Sequence, residues 1–330
     1  MNVYWLSPAG LEHSRPEELD DLLMREAGFV WVDIPHCDEA AHTLLTGSFG
    51  FHPMAVQACK QRAHLPKIHV YADHIFLILL APEPGRTGHV HLLELDQFIG
   101  QRYLVTVQGP FENALALDAS VRGREIKAIL HRLESGRFRP GTPTELAYTL
   151  ITAMARNIEN HVTSLTARVA ELERETIHAP TGDPEQKLET MFHLRHELLT
   201  IHTLAAQSRT IFARINRLSA RTTPIEDRRF YEDLQDQFES IHGLCDAERG
   251  YLQGVIDFHQ NRLLNKLNVA MERLALITVL LLPVTAIASF YGMNILVFDK
   301  TDTGQVLGVL MVIGLLTGLI AFWAKRRGWW

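Results

Sequence analysis

Two long uncharged runs close this chain, and they decide what the rest can be. Leu274 to Met293 is 20 residues without a charge, and Val306 to Ala324 is 19 more. As an α-helix rising ~1.5 Å per residue, either run crosses a hydrocarbon layer of ~30 Å. Between them Tyr291-Gly292-Met293-Asn294 is a sharp turn signal at the end of the first span. The residues before Leu274 are ordinary in charge and polarity, so a large soluble part precedes a two-span hairpin. Two helices cannot enclose a path alone, which points to an oligomeric pore.

Composition narrows the setting. A formal charge of −6 gives no basic patch of the kind nucleic acid requires. Cys37, Cys59 and Cys245 are isolated, with no CxxC spacing, which argues against a disulfide scaffold and a thiolate zinc site and fits a reducing compartment. The start, MNVYWLSPAG, has no basic region leading into an apolar one, so the soluble part is expected in the cytoplasm. Lys325, Arg326 and Arg327 follow the second span, and Lys266 and Arg273 precede the first. The connecting loop carries only Lys300 beside Asp299 and Asp302. Positive charge therefore places both termini in the cytoplasm and the loop outside, with Trp323, Trp329 and Trp330 at the headgroup level.

Residues 1–140 read as a mixed α/β domain. Strands are expected at Phe29 to Val32, at Tyr71 and His74 to Leu80 (stopped by Pro82, Pro84 and Gly85), at Val90 to Leu95, and at Arg102 to Val107. Helices are expected at Asp38 to Leu45 and Pro53 to Lys60. Residues 141–222 read as an antiparallel helical hairpin, capped at its start by Thr144, with Leu146, Leu150, Met154, Ile158, Leu165, Val169 and Leu172 as its first stripe. Residues 223–273 form a stalk helix carrying Phe230, Leu234, Phe238, Ile241, Leu244, Leu252, Val255, Leu263 and Leu267 at helical spacing. It feeds directly into a first transmembrane helix at 274–293. An external loop (294–305), a second transmembrane helix (306–324) and a basic tail (325–330) complete the chain. From Pro224 to Gly292 nothing stops the helix except local weakening at Gly243, Gly250 and Gly254, and a kink is expected at Pro283, which offers no donor to the carbonyl of Val279.

Asn268, Met271, Ala275, Thr278, Leu282, Thr285 and Ser289 recur in steps of three and four, so they share one helical face. That face is small or polar where the rest of the span is Leu, Ile and Val. Hydroxyls and amides in a bilayer turn toward partners or water, which suits a pore lining; small and hydroxyl residues equally suit close helix packing. Met271 and Leu282 read as hydrophobic constrictions in the first case.

The stretch LPVTAIASFYGMN closely resembles the signature of the CorA family of magnesium and cobalt channels. FGFHPMAV, LPKIHVYADHIFLIL and FYEDLQDQ resemble the family's α/β domain and stalk start, so the likeness covers nearly the whole chain. It implies an α+β cytoplasmic domain, a long helical hairpin and stalk, two C-terminal spans, and a funnel-shaped homopentamer in the cell membrane. It implies that Gly292, Met293 and Asn294 form the ion-receiving mouth, with a ring of Asn294 carbonyls hydrogen-bonding the waters of Mg²⁺. It also implies that Asn268, Met271, Leu274, Leu282, Thr285 and Ser289 face the pore, beside the Thr278 that spacing adds. Mg²⁺ dehydrates reluctantly, and a neutral ring can hold its waters without stripping them. No charge lies between Leu274 and Asn294.

The chain departs from the family at two places. The residues after the GMN tripeptide, Ile295 to Lys300, lack the family's MPE loop. The family's intracellular Mg²⁺ sensor pairs a stalk Asp, here Asp233, with an acidic pair after a His-Pro motif. Those positions here are Gln57 and Ala58, following His52-Pro53, so a weaker, displaced or absent sensor is expected. Among 17 histidines, His193 and His196 stand one turn apart beside Glu197, with His202 further along; imidazole suits Zn²⁺, Co²⁺ or Ni²⁺. They support an alternative as a zinc transporter of the same superfamily. A membrane-anchored sensor or scaffold is the reading from a different class. No enzymatic reading has support, since the chain has no Walker loop, HExxH, GxSxG or GxGxxG, and no cofactor is expected beyond the transported cation.

Overall fold

The computed structural model describes residues 1–84, 90–110, 121–178, 184–219, 225–292 and 303–326. These divide into two compact units, Met1–Gly254 and Val255–Trp330.

The first unit is built on a seven-stranded sheet of order β2-β1-β3-β7-β6-β5-β4, formed by β1 (Asn2–Ser7), β2 (Gly10–Ser14), β3 (Phe29–Ile34), β4 (Lys67–Val70), β5 (His74–Pro84), β6 (Val90–Gly100) and β7 (Tyr103–Gln108). Only β3 and β7 run parallel, in the register Val30↔Tyr103 to Ile34↔Val107; every other pair is antiparallel. The centre is a run of β-branched and aromatic residues: β3 is buried along its whole length. The two edges are short and polar. In β2, Glu12 and His13 are exposed, and in β4, Lys67 and His69 are exposed, with only Ile68 buried. Gly100 allows the tight β6–β7 turn, because a Cβ there would lie 2.4 Å from the Tyr103 ring.

Helices α1 (Leu19–Met24), α2 (Glu39–Thr46) and α3 (Pro53–Lys60) close one sheet face. Leu19, Leu22, Ala41, Leu45, Ala55 and Val56 join Val30, Val32, Phe76 and Phe98 in one core. A stacked pair of rings, Phe51 on Phe98 at 4.1 Å, carries the loop before α3 onto the sheet. On the other face lie α4 (Arg124–Glu134), α5 (Pro143–His178) and α6 (Pro184–Ser219). Trp31 is fully buried, and its indole donates to Thr106 Oγ1 at 3.1 Å, whose hydroxyl reaches Asp33 at 3.1 Å.

All seven stripe residues of α5 are buried, with Leu194, Leu198 and Ile201 of α6 against them. Burying each such side chain contributes ~1.5–3 kcal/mol. The α5 cap is Thr142, not Thr144. Pro143, whose fixed φ suits the first helical position, starts the helix two residues earlier than a Thr144 cap would. Thr142 Oγ1 then accepts from the Glu145 amide at 3.1 Å, while the Glu145 carboxylate accepts from the Gly141 amide at 2.6 Å. Thr144 is buried.

β5 also differs from expectation: it continues through Pro82 to Pro84, opposite Leu92 and Val90 of β6. β4 pairs with β5 only as far as Ile78, and among the described residues no strand pairs with that side of β5 beyond it, where residues lacking an N–H are tolerated. β1, β2, β4, α1 and α4 were not read from the pattern.

Helix α7 (Ile225–Gly292) is continuous over 68 residues, through Gly243, Gly250, Gly254 and Pro283. In the first unit it buries Tyr231, Leu234, Phe238, Ile241, Cys245 and Leu252. Leu244, expected inward, is exposed; after Ile241 the inward position four residues on belongs to Cys245. In the second unit Val255 and Ile256 are buried, but from Leu264 to Ser289 no residue is. There α7 and α8 (Thr303–Arg326) are the two described helices long and apolar enough to cross a membrane.

Candidate functional site

Within the second unit the exposure pattern of α7 is not uniform. Leu276, Leu280, Pro283, Val284 and Ile287 are half-buried, whereas Asn268, Met271, Leu274, Ala275, Thr278, Leu282, Thr285 and Ser289 are all exposed. At ~100° per residue the half-buried set centres on one side of the helix, and the spaced stripe centres on about the opposite side. On α8 the covered residues, Val309, Ile313, Thr317, Ile320, Ala321 and Ala324, likewise share one face.

The stripe's two threonine hydroxyls are bonded within the helix. Thr278 Oγ1 donates to the Leu274 carbonyl at 2.9 Å, and Thr285 Oγ1 donates to the Leu281 carbonyl at 2.7 Å. A hydroxyl that spends its proton on the backbone presents oxygen lone pairs outward. Such an oxygen accepts a hydrogen bond from water, including water of a hydrated cation, and offers no donor that would repel it. Met271 and Leu282, 68% and 63% exposed, stand as large apolar side chains on the same face. Gly292 ends α7; Met293 and Asn294 lie outside the described residues, as does most of the loop 294–305.

Asp233 is exposed at the start of α7, but its carboxylate is engaged within the chain. It accepts from the Tyr148 hydroxyl at 2.7 Å and from Gln237 Nε2 at 2.5 Å. Burial, and secondly the bond to Asp233, push the Tyr148 phenol above its ordinary pKa. Gln57 is exposed on α3, and Ala58 is half-covered against the core. Neither side chain can carry negative charge.

The histidine group is separated. His193 and His196 face outward on α6, and His193 Nε2 lies 3.8 Å from Glu189. Glu197, 3% exposed, turns into the bundle and pairs with His161 Nε2 of α5 at 2.9 Å, with Arg168 at 3.6 Å. A helix turns ~100° per residue, so Glu197 cannot share a face with His196. His202 instead packs against His242 of α7, ring centres 4.2 Å apart and tilted by 31°, and lies 3.6 Å from Asp246. Burial and the neighbouring His242 hold His202 below the ordinary imidazole range. Among the described residues no group of three or more His, Cys, Asp or Glu is arranged to hold a metal ion. The His161–Glu197 pair has no local signal in the sequence, its partners standing 36 positions apart.

Comparison with known proteins accounts for this combination of a sheet domain, a continuous helix and two apolar C-terminal helices. Residues 26–326 match the CorA-like Mg²⁺ transporter protein family, and the chain belongs to it. The YfjQ protein of Bacillus subtilis is 24% identical over 92% of this chain and 91% of its own. The cobalt/magnesium transport protein CorA of Thermotoga maritima is 21% identical over 91% of this chain and 83% of its own. The complete CorA magnesium transporter structure from Methanocaldococcus jannaschii superposes with a TM-score of 0.80 at 18% identity, covering 100% of this chain and 99% of that one.

Proposed function

We propose that the chain moves divalent cations across the cell membrane, Mg²⁺ foremost with Co²⁺ and Ni²⁺ as mimics, through a homopentameric pore. The observation that carries this reading is the stripe on α7: small and hydroxyl or amide residues interrupted by Met271, Leu274 and Leu282, all exposed on the side away from the helix's covered face. Apolar side chains satisfied by lipid have no reason to leave an Asn, two Thr and a Ser in one line. A central pore gives them water. In this reading Asn268, Met271, Leu274, Thr278, Leu282, Thr285 and Ser289 line the path, Gly292 and Met293 shape its outer end, and a ring of Asn294 carbonyls receives the hydrated ion. The loop 294–305 lies outside, both termini lie in the cytoplasm, and 1–140, 141–222 and 223–273 act as the domain, hairpin and stalk of the cytoplasmic part.

The intracellular sensor is absent or displaced. A divalent ion bridging Asp233 to a neighbouring α3 would meet Gln57 and Ala58 rather than carboxylates, and Asp233 already has two donors in its own chain. Transport needs no catalysis, and no cofactor enters the reading.

The test is divalent uptake by purified protein in liposomes loaded with Mg²⁺- and Zn²⁺-sensitive dyes, with Asn294→Ala as the control. Mg²⁺ entry that is lost in Asn294→Ala upholds the reading. Zn²⁺ entry without Mg²⁺ entry moves the protein to zinc transport, and flux in neither case leaves a membrane tether.

A further inference from the structure

Glu94 and Asp96 stand two residues apart on β6, so both point to the face covered by α2 and α3. Asp96 is 0% exposed and Glu94 is 9% exposed. Glu94 Oε2 accepts from the Ala63 amide, just beyond α3, at 2.7 Å. The other three carboxyl oxygens, Glu94 Oε1 and both of Asp96, are buried without a donor. The thiol of Cys59, which borders Asp96 from α3, donates to the Ala55 carbonyl at 3.4 Å. The space is shaped for this arrangement: a Cβ on Gly109 would fall 2.5 Å from Glu94 Cβ.

Two adjoining buried carboxylates cannot both be ionised without a cation between them, and three acceptors with no donor are costly. We propose that Glu94 and Asp96 share one proton at neutral pH and that its loss unseats α3, the helix that carries Gln57 and Ala58. Glu94, which already accepts an amide, is the anionic member. Asp96 is the acid and donates its O–H to Glu94 Oε1, so a single proton satisfies two of the three orphaned oxygens, and the remaining Asp96 oxygen is left to the bordering Cys59 thiol. Facing charges come from Arg62 after α3, Lys67 on β4, the thiols of Cys59 and Cys37, and Arg122 and Glu125 across the small cavity beside Glu94. They do not cancel the effect of burial, which is the largest influence on both carboxyls and, with Glu94 beside it, drives Asp96 well above the carboxylate range.

The sign follows from that direction. A carboxyl raised in the folded state stabilises fully below its unfolded pKa of ~4, and this contribution is lost as pH climbs to the raised value. Across that window the opening of α3 grows by up to ~10-fold per pH unit beyond the ordinary acceleration of exchange. The family's divalent-sensing positions are empty of acids here, so the helix that bears them answers to protons instead.

The experiment uses the full-length chain in detergent micelles. Infrared spectra taken from about pH 6 to about pH 9 should show a protonated-carboxyl stretch that fades on alkalinisation. Amide exchange at Ala63 and across 53–60 should rise with it. Asp96→Asn should lose that band while keeping any band from Asp33, the carboxyl bonded to Thr106, and its α3 exchange should follow the intrinsic pH dependence alone. A wild-type spectrum with no protonated carboxyl at neutral pH overturns the proposal whether or not the variant folds. So does a pH response of α3 that survives in Asp96→Asn. So does alkaline α3 exchange that Mg²⁺ suppresses in the wild type alone, since the pair would then be a cation seat.

Discussion

The two units solve burial in opposite ways. In Met1–Gly254 the apolar stripes find partners inside one chain: β3 is sealed by helices on both faces, and α5 meets α6 along Leu146 to Leu172. In Val255–Trp330 the large apolar side chains are mostly exposed, Leu274 at 65% and Leu315 at 66% among them. The same side-chain type is thus core in one unit and surface in the other. An exposed apolar surface of this extent marks a missing solvent or partner. The first unit covers its apolar stripes within one copy, whereas the second needs lipid or a partner to cover its own.

The comparison is sharpest where large-to-small changes are made in both units. Phe98→Ala or Leu165→Ala should cost ~3–5 kcal/mol and unfold the first unit early in chemical denaturation. Leu282→Ala should shift the same transition by less than ~0.5 kcal/mol while changing divalent flux. Equal losses from both would erase the distinction.

A second contrast lies within α7 itself. Leu280→Asn, on the half-buried side, should weaken the membrane unit, read as oligomer dissociation or a lowered melting temperature in detergent. Leu282→Asn, on the stripe, should leave the assembly intact and raise ion leak by wetting a constriction. Reversal of these outcomes would exchange the two faces.

Smaller effects separate local from distant contacts in the first unit. Gly109→Ala should destabilise by ~1–3 kcal/mol, because the new Cβ must displace Glu94. Thr142→Ala should remove the α5 cap for ~1 kcal/mol, measurable as a lower denaturation midpoint. The smallest expected effect is that of Asp233→Ala on closure by internal Mg²⁺, titrated in the liposome assay. With no acid at Gln57 or Ala58, the titration should be unchanged, and a change would restore a divalent sensor to the stalk.

Periodicity found the elements whose residues are locally consistent. The expected helix from Pro53 to Lys60 coincides with α3, because proline at its first position and apolar spacing agree. β3 and β7 were visible as Val- and aromatic-rich runs. β2 was not, because Gly-Leu-Glu-His-Ser has no apolar alternation and depends on pairing with β1. The sequence pattern ends β6 at Leu95, because Asp96 and Gln97 have the character of surface residues; both are fully buried, a tertiary fact with no local trace. Family resemblance directed attention to the stripe on α7, and spacing alone had already found it. Glu197 does not join His193 and His196, because adjacent positions 196 and 197 point in different directions on a helix and its partner His161 sits in another helix.

The sheet's two borders have a consequence for any assembly of this chain. β2 and β4 present unpaired backbone groups, and an oligomer holds several such borders at high local concentration for its whole lifetime. Both strands are short and carry charged or titratable side chains, Glu12 and His13 on one and Lys67 and His69 on the other. Strand-to-strand fusion between copies is thereby discouraged. Whatever brings the copies together, these borders are built to remain single, leaving association to the helices.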